Sequence, residues 1–253
     1  GSSLVGSEMC IRDRSRSRIE NFVRCKACFY MEQVEGIKFP SIPGFNINEA
    51  TDILLKRDFD KYREIGEPHP FLVAKERDFL IPFSHEHFEL WTQSLHFGAK
   101  DRLNFVDPKT NLKVGGGLDD VWLNINTNCL HIVDYKSTSQ KSDKGPITLD
   151  DPWKASYKRQ MDLYVWVLRK KGFHVDDVGY FLYCDGDRFS EYDFLSSTTA
   201  SMNFKITLID YKTNDTWIEP TLQDISECLN ESKRPLHSDY CEYGKFLTQS
   251  LNQ

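Results

Sequence analysis

Two short strings of sequence decide the fold: Gly116-Gly117-Leu118-Asp119-Asp120-Val121-Trp122 and His131-Ile132-Val133-Asp134-Tyr135-Lys136. Residues 114–124 and 129–135 have strand-like patterns, and the polar turn between them predicts an antiparallel hairpin. Side chains alternate across a strand, so Asp134 and Lys136 should project to one face, about 7 Å apart along the strand. We expect Asp119, on the partner strand, to join them there.

The two acids and the lysine have the chemistry of a carboxylate metal site. Asp119 and Asp134 would repel each other without a cation between them, and oxygen ligands, including the backbone carbonyl of Tyr135, suit magnesium or manganese. A charged Lys136 is not a ligand, but it can position or deprotonate a water and stabilise charge on a phosphate. Asp120 is the poorer ligand because it points to the opposite face from Asp119. These residues outline a hydrolytic phosphodiester site.

The rest of the chain places helices and further strands around this hairpin. Apolar residues at helical spacing predict helices over residues 15–32, 46–63, 82–97, 153–171 and 219–230. The helix over 46–63 is predicted to turn an apolar face inward, including Ile47, Ile53, Leu54 and Phe59. Residues 178–184, 189–195 and 204–211 are predicted to be strands, and Asp185-Gly186-Asp187 a hairpin turn.

Three motifs in order carry a resemblance to a known family. Gly116-x-Leu118-Asp119, Asp134-Tyr135-Lys136 and Gln160-x-x-x-Tyr164 resemble the PD-(D/E)XK nuclease superfamily, and in particular its RecB-like branch, which includes CRISPR-adaptation exonucleases. The resemblance implies an α/β fold: a restriction-endonuclease-like core with a central mixed β-sheet flanked by helices, plus an N-terminal helical elaboration.

The resemblance also implies an activity and roles for residues. Asp119 and Asp134 would bind a divalent metal, Lys136 would serve the attacking water, and Gln160 and Tyr164, one helical turn apart, would orient the site or the nucleic acid. The expected function is a Mg²⁺- or Mn²⁺-dependent DNA nuclease with exonuclease or end-processing activity, of the kind used in DNA repair or recombination. Two other classes stay open: a catalytically silent nucleic-acid-binding or scaffold module with the same fold, and a thiol-based metal or redox protein.

One departure from the family pattern concerns the metal. Many RecB-like nucleases carry a histidine ligand on an early helix, and residues 46–63 contain none. Asp52 or Glu49 could substitute, and Asp52 is the preferred candidate.

The cysteines are the second departure. The chain has seven, an odd number that argues against a disulfide framework. Cys25 and Cys28 are interpreted first as buried helical thiols, and a four-thiolate site with Cys228 and Cys241 is the alternative. Members of this branch often hold an iron–sulfur cluster with one N-terminal and three C-terminal cysteines. Here Gly244 stands where a C-x-x-C motif starting at Cys241 would place its second cysteine, so an iron–sulfur cluster is not expected.

Composition limits how DNA could be held. Lys and Arg number 32 against 38 Asp and Glu, a net charge of -6, which is not typical of a non-specific nucleic-acid binder. A single- or double-stranded DNA partner must therefore meet a local basic path. The candidates for binding a DNA strand are Trp153, Tyr157, Lys158, Lys141 and Lys144. The alternative interpretation is that these side chains are ordinary core or surface residues. His85 and His87 lack the spacing of a zinc protease motif and are expected to be surface residues.

The organisation expected is one domain. Residues 4–14 resemble the translated read-through of a sequencing adapter, so residues 1–14 are treated as a non-native leader. Residues 15–253 then form a single nuclease domain, with a helical part (15–110), a catalytic core (111–230) and a tail (231–253). No apolar run is long enough to span a bilayer and no secretion signal is recognisable. We therefore expect a soluble, cytoplasmic protein without a membrane partner; the pattern does not determine its oligomeric state.

Overall fold

The structure, a computed structural model, describes residues 12–39, 46–93, 102–141 and 145–251. The helices in these ranges are α1 (Arg16–Arg24), α2 (Lys26–Gln33), α3 (Asn46–Ile65), α4 (Pro70–Ala74), α5 (Phe88–Trp91), α6 (Ala155–Lys170), α7 (Ile218–Asn230) and α8 (Glu242–Leu251). The strands are β1 (Arg12–Ser15), β2 (Leu80–Pro82), β3 (Asn104–Val106), β4 (Leu112–Gly115), β5 (Asp120–Asn124), β6 (Cys129–Thr138), β7 (Val178–Gly186) and β8 (Phe204–Lys212). None of these helices combines the length and apolar character that a membrane crossing requires.

A five-stranded mixed sheet forms the centre of the fold, with strand order β2-β5-β6-β7-β8. Its β6–β7 pair is parallel and the other pairs are antiparallel. A parallel pair needs a crossover connection, and α6 provides it. A smaller sheet, β1-β4-β3, lies beside it. The predicted class, a mixed β-sheet flanked by helices, is confirmed.

Alternation along β6 sends its side chains to two different cores. Ile132 packs into the larger core with Met161 and Tyr164 of α6, whereas Val133 and Tyr135 pack with Phe59 of α3. Because alternate residues share a face, Asp134 and Lys136 lie on the α6 side of the sheet. The two predicted catalytic residues of β6 are therefore covered by the helix that carries the third motif.

The predicted hairpin is correct from Asp120 onward but wrong before it. Residues 114–124 do not form one strand: β4 ends at Gly115 in the smaller sheet and β5 begins at Asp120 in the larger one. Between them the chain turns through Gly116 and Gly117. A run of glycines removes the side chains that would keep a strand packed, which favours such a change of sheet.

Several other element predictions need correction. The helix predicted over residues 15–32 is broken at Cys25, whose φ is -162°. Residues 189–195 form no strand, and β7 continues through Gly186, so Asp185-Gly186-Asp187 is not a hairpin turn. Helix α8 was not predicted, and of the helix over 82–97 only α5 is observed, with residues 94–97 outside the described part of the chain.

Helix α3 begins at the predicted residue, ends two residues later than predicted, and buries a different face. Ile47, Ile53 and Leu54 are exposed, whereas Phe59 is buried. The polar residue Thr51 is also buried and bonds to Ser137 of β6. This contact brings the N-terminal half of α3 against the end of β6. Of the predicted leader, residues 1–11 lie outside the described ranges and its last part forms β1; the domain subdivision stays a prediction.

Candidate active site

Asp134 and Lys136 form the centre of the site. Asp134 is only 1% exposed, and the Lys136 ammonium contacts its Oδ2 atom. Burial raises the pKa of Asp134 to about 6, although the Lys136 charge opposes the shift. Among the described residues, no donor other than Lys136 reaches the two carboxylate oxygens. The Lys136 Nζ atom also lies 4.6 Å from the ring centroid of Tyr157.

Asp119 reaches the same place from the turn before β5. Its Oδ2 atom accepts a hydrogen bond of 2.9 Å from the backbone N–H of Tyr135, which lies directly between Asp134 and Lys136. The predicted convergence of the two strings is therefore present, with Asp119 tied to the backbone of β6.

Helix α3 adds a second cation and a third acid. The Lys56 Nζ atom lies 3.0 Å from Asp52 and 3.6 Å from Asp119. Burial, followed by repulsion from Asp119, raises the pKa of Asp52. Glu49, the other candidate, is exposed. Asp52 thus shares a cation with Asp119, and the sequence did contain an indication of Lys56, since it lies one helical turn after Asp52.

Tyr164 positions the glycine turn that precedes Asp119. Its hydroxyl donates a hydrogen bond of 2.6 Å to the carbonyl oxygen of Gly117. Burial raises the pKa of Tyr164 to about 12, which keeps the hydroxyl protonated as a donor. A Cβ atom on Gly116 would lie 2.9 Å from the Tyr164 oxygen, and one on Gly117 2.9 Å from the Thr92 carbonyl oxygen. Glycine is required at both positions because the turn passes between α6 and the chain after α5.

Gln160 is held by an arginine that sequence reasoning missed. The buried Gln160 side chain accepts a hydrogen bond of 2.5 Å from Arg16 Nη2. The Arg16 charge also acts to lower the pKa of Asp134. One turn along α1, Glu20 binds Arg159 of α6 through two hydrogen bonds of 2.7 and 2.8 Å. No motif marks Arg16, which lies beside the segment treated as a leader.

Asp120 serves the packing of α3 on the sheet. Its carboxylate, 1% exposed, accepts hydrogen bonds from Arg63 Nη2 at 2.5 Å, the Tyr135 hydroxyl at 2.7 Å and Trp122 Nε1 at 3.1 Å. Both oxygens are therefore occupied by protein donors on the α3 side of the sheet.

A path of aromatic rings leads outward from Lys136. Trp153 is 58% exposed, and its ring meets that of Tyr157 edge-on at 5.4 Å. Lys154 is buried and bonds to the Thr148 carbonyl and to Asp151, and its Nζ atom lies 5.2 Å from the Trp153 ring centroid. Lys158 is half-buried and Lys141 exposed. Lys144 lies outside the described residues.

Two adjoining clefts continue this path. A cleft of about 530 Å³ is bordered by Thr138 and Trp153, and a neighbouring cleft of about 630 Å³ is lined by four basic residues: Lys75, Lys141, Arg188 and Lys205. Lys75, Arg188 and Lys205 come from three separate segments, so no sequence pattern indicated them. The same cleft is lined by two acids, Asp185 and Asp187, so the four basic residues leave it with a small excess of positive charge.

The predicted histidine and cysteine groups are arranged differently from the expectation. His85 is half-buried and stacks on Trp91 at 4.4 Å, instead of lying on the surface. Cys228 belongs to the larger hydrophobic core, so it does not complete a four-thiolate site. Cys25, Cys28 and Cys241 do lie together, with His237 as their neighbour.

The donor set around Asp134 fits a hard divalent cation. Among the described residues, the Oδ1 atom of Asp134 is buried without a hydrogen-bond donor, and the Oδ2 atom contacts the Lys136 ammonium; a buried polar atom such as Oδ1 is normally satisfied by a partner. Carboxylate and carbonyl oxygens are the ligands that Mg²⁺ and Mn²⁺ prefer. Asp134 and Asp119, with Asp52 nearby, therefore offer a chemically suitable site.

Comparison with known proteins gives one family. A family model of the PD-(D/E)XK nuclease superfamily matches residues 47–243, which is more than half of the chain. The match spans α3, the whole five-stranded sheet and α6. No match to the chain is found among curated proteins.

Proposed function

Because this chain belongs to the PD-(D/E)XK nuclease superfamily, we propose that it is a divalent-metal-dependent deoxyribonuclease of the RecB-like type that acts on DNA ends. The observation that carries the proposal is the buried Asp134–Lys136 pair, with Asp119 bonded to the backbone between them. The placement of Gln160 and Tyr164 on the covering helix supports the RecB-like assignment.

The metal would be held by side chains on three elements. Asp119, Asp134 and the Tyr135 carbonyl are the proposed ligands of Mg²⁺ or Mn²⁺, and Asp52 is a further one. When bound, such an ion polarises a phosphate oxygen and lowers the pKa of a bound water. Lys56 now lies between Asp52 and Asp119, and its ammonium would have to move away when these acids bind a divalent cation.

Lys136 has the main chemical role among the protein side chains. In hydrolysis, a water oxygen joins the phosphorus, the bond from phosphorus to the leaving oxygen breaks, and the leaving oxygen takes a proton. The role that we propose for the Lys136 ammonium is to hold that water and to neutralise the charge that builds on the phosphate. Its contacts with Asp134 and the Tyr157 ring fix its position before the substrate arrives.

The strand is proposed to approach along the aromatic and basic path. Trp153 and Tyr157 offer ring faces or edges for bases, and Lys141 and Arg188 line the clefts beside them. Aromatic stacking requires a base that is free of its duplex neighbours, which favours a single-stranded or frayed end as substrate. Unpaired bases, such as those of a single strand or a frayed end, are therefore preferred over an intact duplex.

The test compares linear and circular DNA, each single- and double-stranded, with Mg²⁺, Mn²⁺ or a chelator. We expect cleavage of linear DNA with either metal, no cleavage with chelator, and no activity in Lys136→Met. Lys61→Met, which removes an exposed lysine of α3, is the matched control and should stay active. Equal cleavage of circular and linear DNA would contradict action on ends. DNA binding without cleavage, and without stabilisation by divalent metal, would instead support the scaffold alternative.

A further inference from the structure

Four side chains of types that bind metals meet where the segment around α1 and α2 contacts the segment before α8. Cys25 lies at the break between α1 and α2, and Cys28 lies in the first turn of α2. His237 and Cys241 precede α8. The four ligand atoms, three sulfurs and one imidazole nitrogen, all lie within 4.8 Å of one another, and the three cysteines are buried.

Four of the six distances among these ligand atoms are close to those around a single tetrahedral ion. The Sγ atoms of Cys28 and Cys241 are 3.3 Å apart. His237 Nδ1 lies 3.4, 3.6 and 3.5 Å from the sulfurs of Cys25, Cys28 and Cys241. Zinc–sulfur bonds of about 2.3 Å and zinc–nitrogen bonds of about 2.0 Å give a tetrahedron with edges of about 3.5 to 3.8 Å. These four distances would need to change by at most a few tenths of an ångström, and the remaining two, from Cys25 to the other sulfurs, are at most 4.8 Å.

The same distances argue against an iron–sulfur cluster. Such a cluster places several iron and sulfide ions between its thiolates, and therefore holds them farther apart than one ion does. The donor types agree, because three thiolates and an imidazole form a closed set that zinc commonly occupies in structural sites.

The surroundings of Gly244 explain why a C-x-x-C motif starting at Cys241 has no second cysteine here. A Cβ atom at Gly244 would lie 2.6 Å from Cγ and 2.7 Å from Cβ of His237. Any side chain there would displace the imidazole from the three sulfurs. The Gly244 N–H also donates a hydrogen bond of 3.2 Å to the Cys241 sulfur, a contact that stabilises a thiolate ligand.

We propose that Cys25, Cys28, His237 and Cys241 bind one zinc ion in a closed structural site. The ion joins segments more than 200 residues apart, so it should stabilise the fold substantially by linking chain ends. It also anchors α1, which carries Arg16 to Gln160. The nuclease proposal does not depend on this site, so the two can fail separately.

The test measures metal in protein purified anaerobically without chelators. We expect about one zinc per chain, released from the folded protein by a thiol-blocking mercurial. Replacement by Co²⁺ should give the visible absorption of a tetrahedral cobalt–thiolate centre. Cys241→Ser and His237→Ala should lose zinc and melt earlier, whereas His237→Cys should keep it.

Matched controls separate this site from other cysteines and from the active site. Cys228→Ser and Cys184→Ser, buried thiols outside the cluster, should retain zinc, and so should Asp134→Asn. Four outcomes would each overturn the proposal: iron with acid-labile sulfide, a Cys28–Cys241 disulfide, metal-free protein, or zinc retained in the double variant His237→Ala/Cys241→Ser. If the variants fail to fold, mercurial release and cobalt absorption in the unmodified chain decide the question.

Discussion

The hydroxyl of Tyr164 donates a hydrogen bond of 2.6 Å to the carbonyl oxygen of Gly117, two residues before Asp119. The helix that covers the sheet therefore holds the turn that delivers a proposed metal ligand. The second residue of the Gln160-x-x-x-Tyr164 motif acts on the first motif through the backbone, and contact with a substrate is not needed to explain it.

Tyr164→Phe should affect the Mg²⁺ requirement for cleavage more than it affects the free energy of unfolding. Loss of the hydroxyl leaves a buried carbonyl without its donor, which costs about 1 to 3 kcal/mol, and allows the turn before Asp119 to move. We expect a several-fold higher Mg²⁺ requirement for cleavage, with partial recovery at high Mg²⁺. Urea unfolding and Mg²⁺ titrations of the rate measure the two effects; an unchanged Mg²⁺ requirement would contradict the positioning role.

Substitutions of the neighbouring residues Asp119 and Asp120 should have different effects: the first should remove metal binding, and the second should lower stability. Asp119→Asn should keep the fold but abolish divalent-metal stabilisation, because it removes a proposed ligand. Asp120→Asn breaks the buried pair with Arg63 and should lower the free energy of unfolding by about 3 to 5 kcal/mol. Metal-dependent thermal melting of both variants provides the comparison. A destabilised Asp119→Asn protein that retains metal binding would reverse the assignment.

Asp52 and Glu49 can be distinguished on the same helix. Asp52→Asn removes an acid that shares Lys56 with Asp119, and should weaken Mg²⁺ affinity by about 10-fold or more. Glu49→Gln, an exposed acid one turn away, should leave the affinity unchanged. Isothermal titration with Mg²⁺ checks both, and equal affinities in the two variants would remove Asp52 from the ligand set.

Arg16 should matter for cleavage but little for stability. Arg16→Ala frees the buried Gln160 side chain and removes a positive charge near Asp134. We expect the cleavage rate to fall about 10-fold, less than the roughly 100- to 1,000-fold loss for a donor that contacts the reacting atoms, because Arg16 acts through Gln160, and we expect a melting temperature within a few degrees of the unmodified chain. Arg24→Ala, an exposed arginine at the end of the same helix, is the control. Equal rates in the two variants would exclude Arg16 from the site.

Trp153 should contribute to DNA affinity without contributing to chemistry. Base stacking on an aromatic ring is worth about 1 to 3 kcal/mol per base, so Trp153→Ala should weaken binding of single-stranded DNA at least several-fold. Tyr192→Ala, another exposed aromatic residue, should bind normally. Fluorescence anisotropy in Ca²⁺, where slow cleavage permits equilibrium, gives the affinities; unchanged binding in Trp153→Ala would exclude the aromatic path.

Much of the central sheet could be predicted because its information is local. The alternation around Asp134 and the helical spacing of Met161, Val165 and Leu168 are periodic in the sequence, and both elements appear where that periodicity placed them. The predicted strand over 189–195 is wrong because a strand also needs a partner: this segment forms a single isolated bridge, Leu195 to Ala200, and its large apolar residues remain exposed.

The sequence by itself determined the fold class and the order of three motifs, since these depend on residue type and spacing along the chain. Only the tertiary structure decided which distant residues meet them. Arg16 reaches Gln160, Lys56 joins Asp52 to Asp119, and His237 completes the cysteine cluster. Such contacts depend on how α1, α3 and the segment before α8 pack against the core. The energy of that packing is distributed over many residues, and it produces no periodic pattern in the sequence.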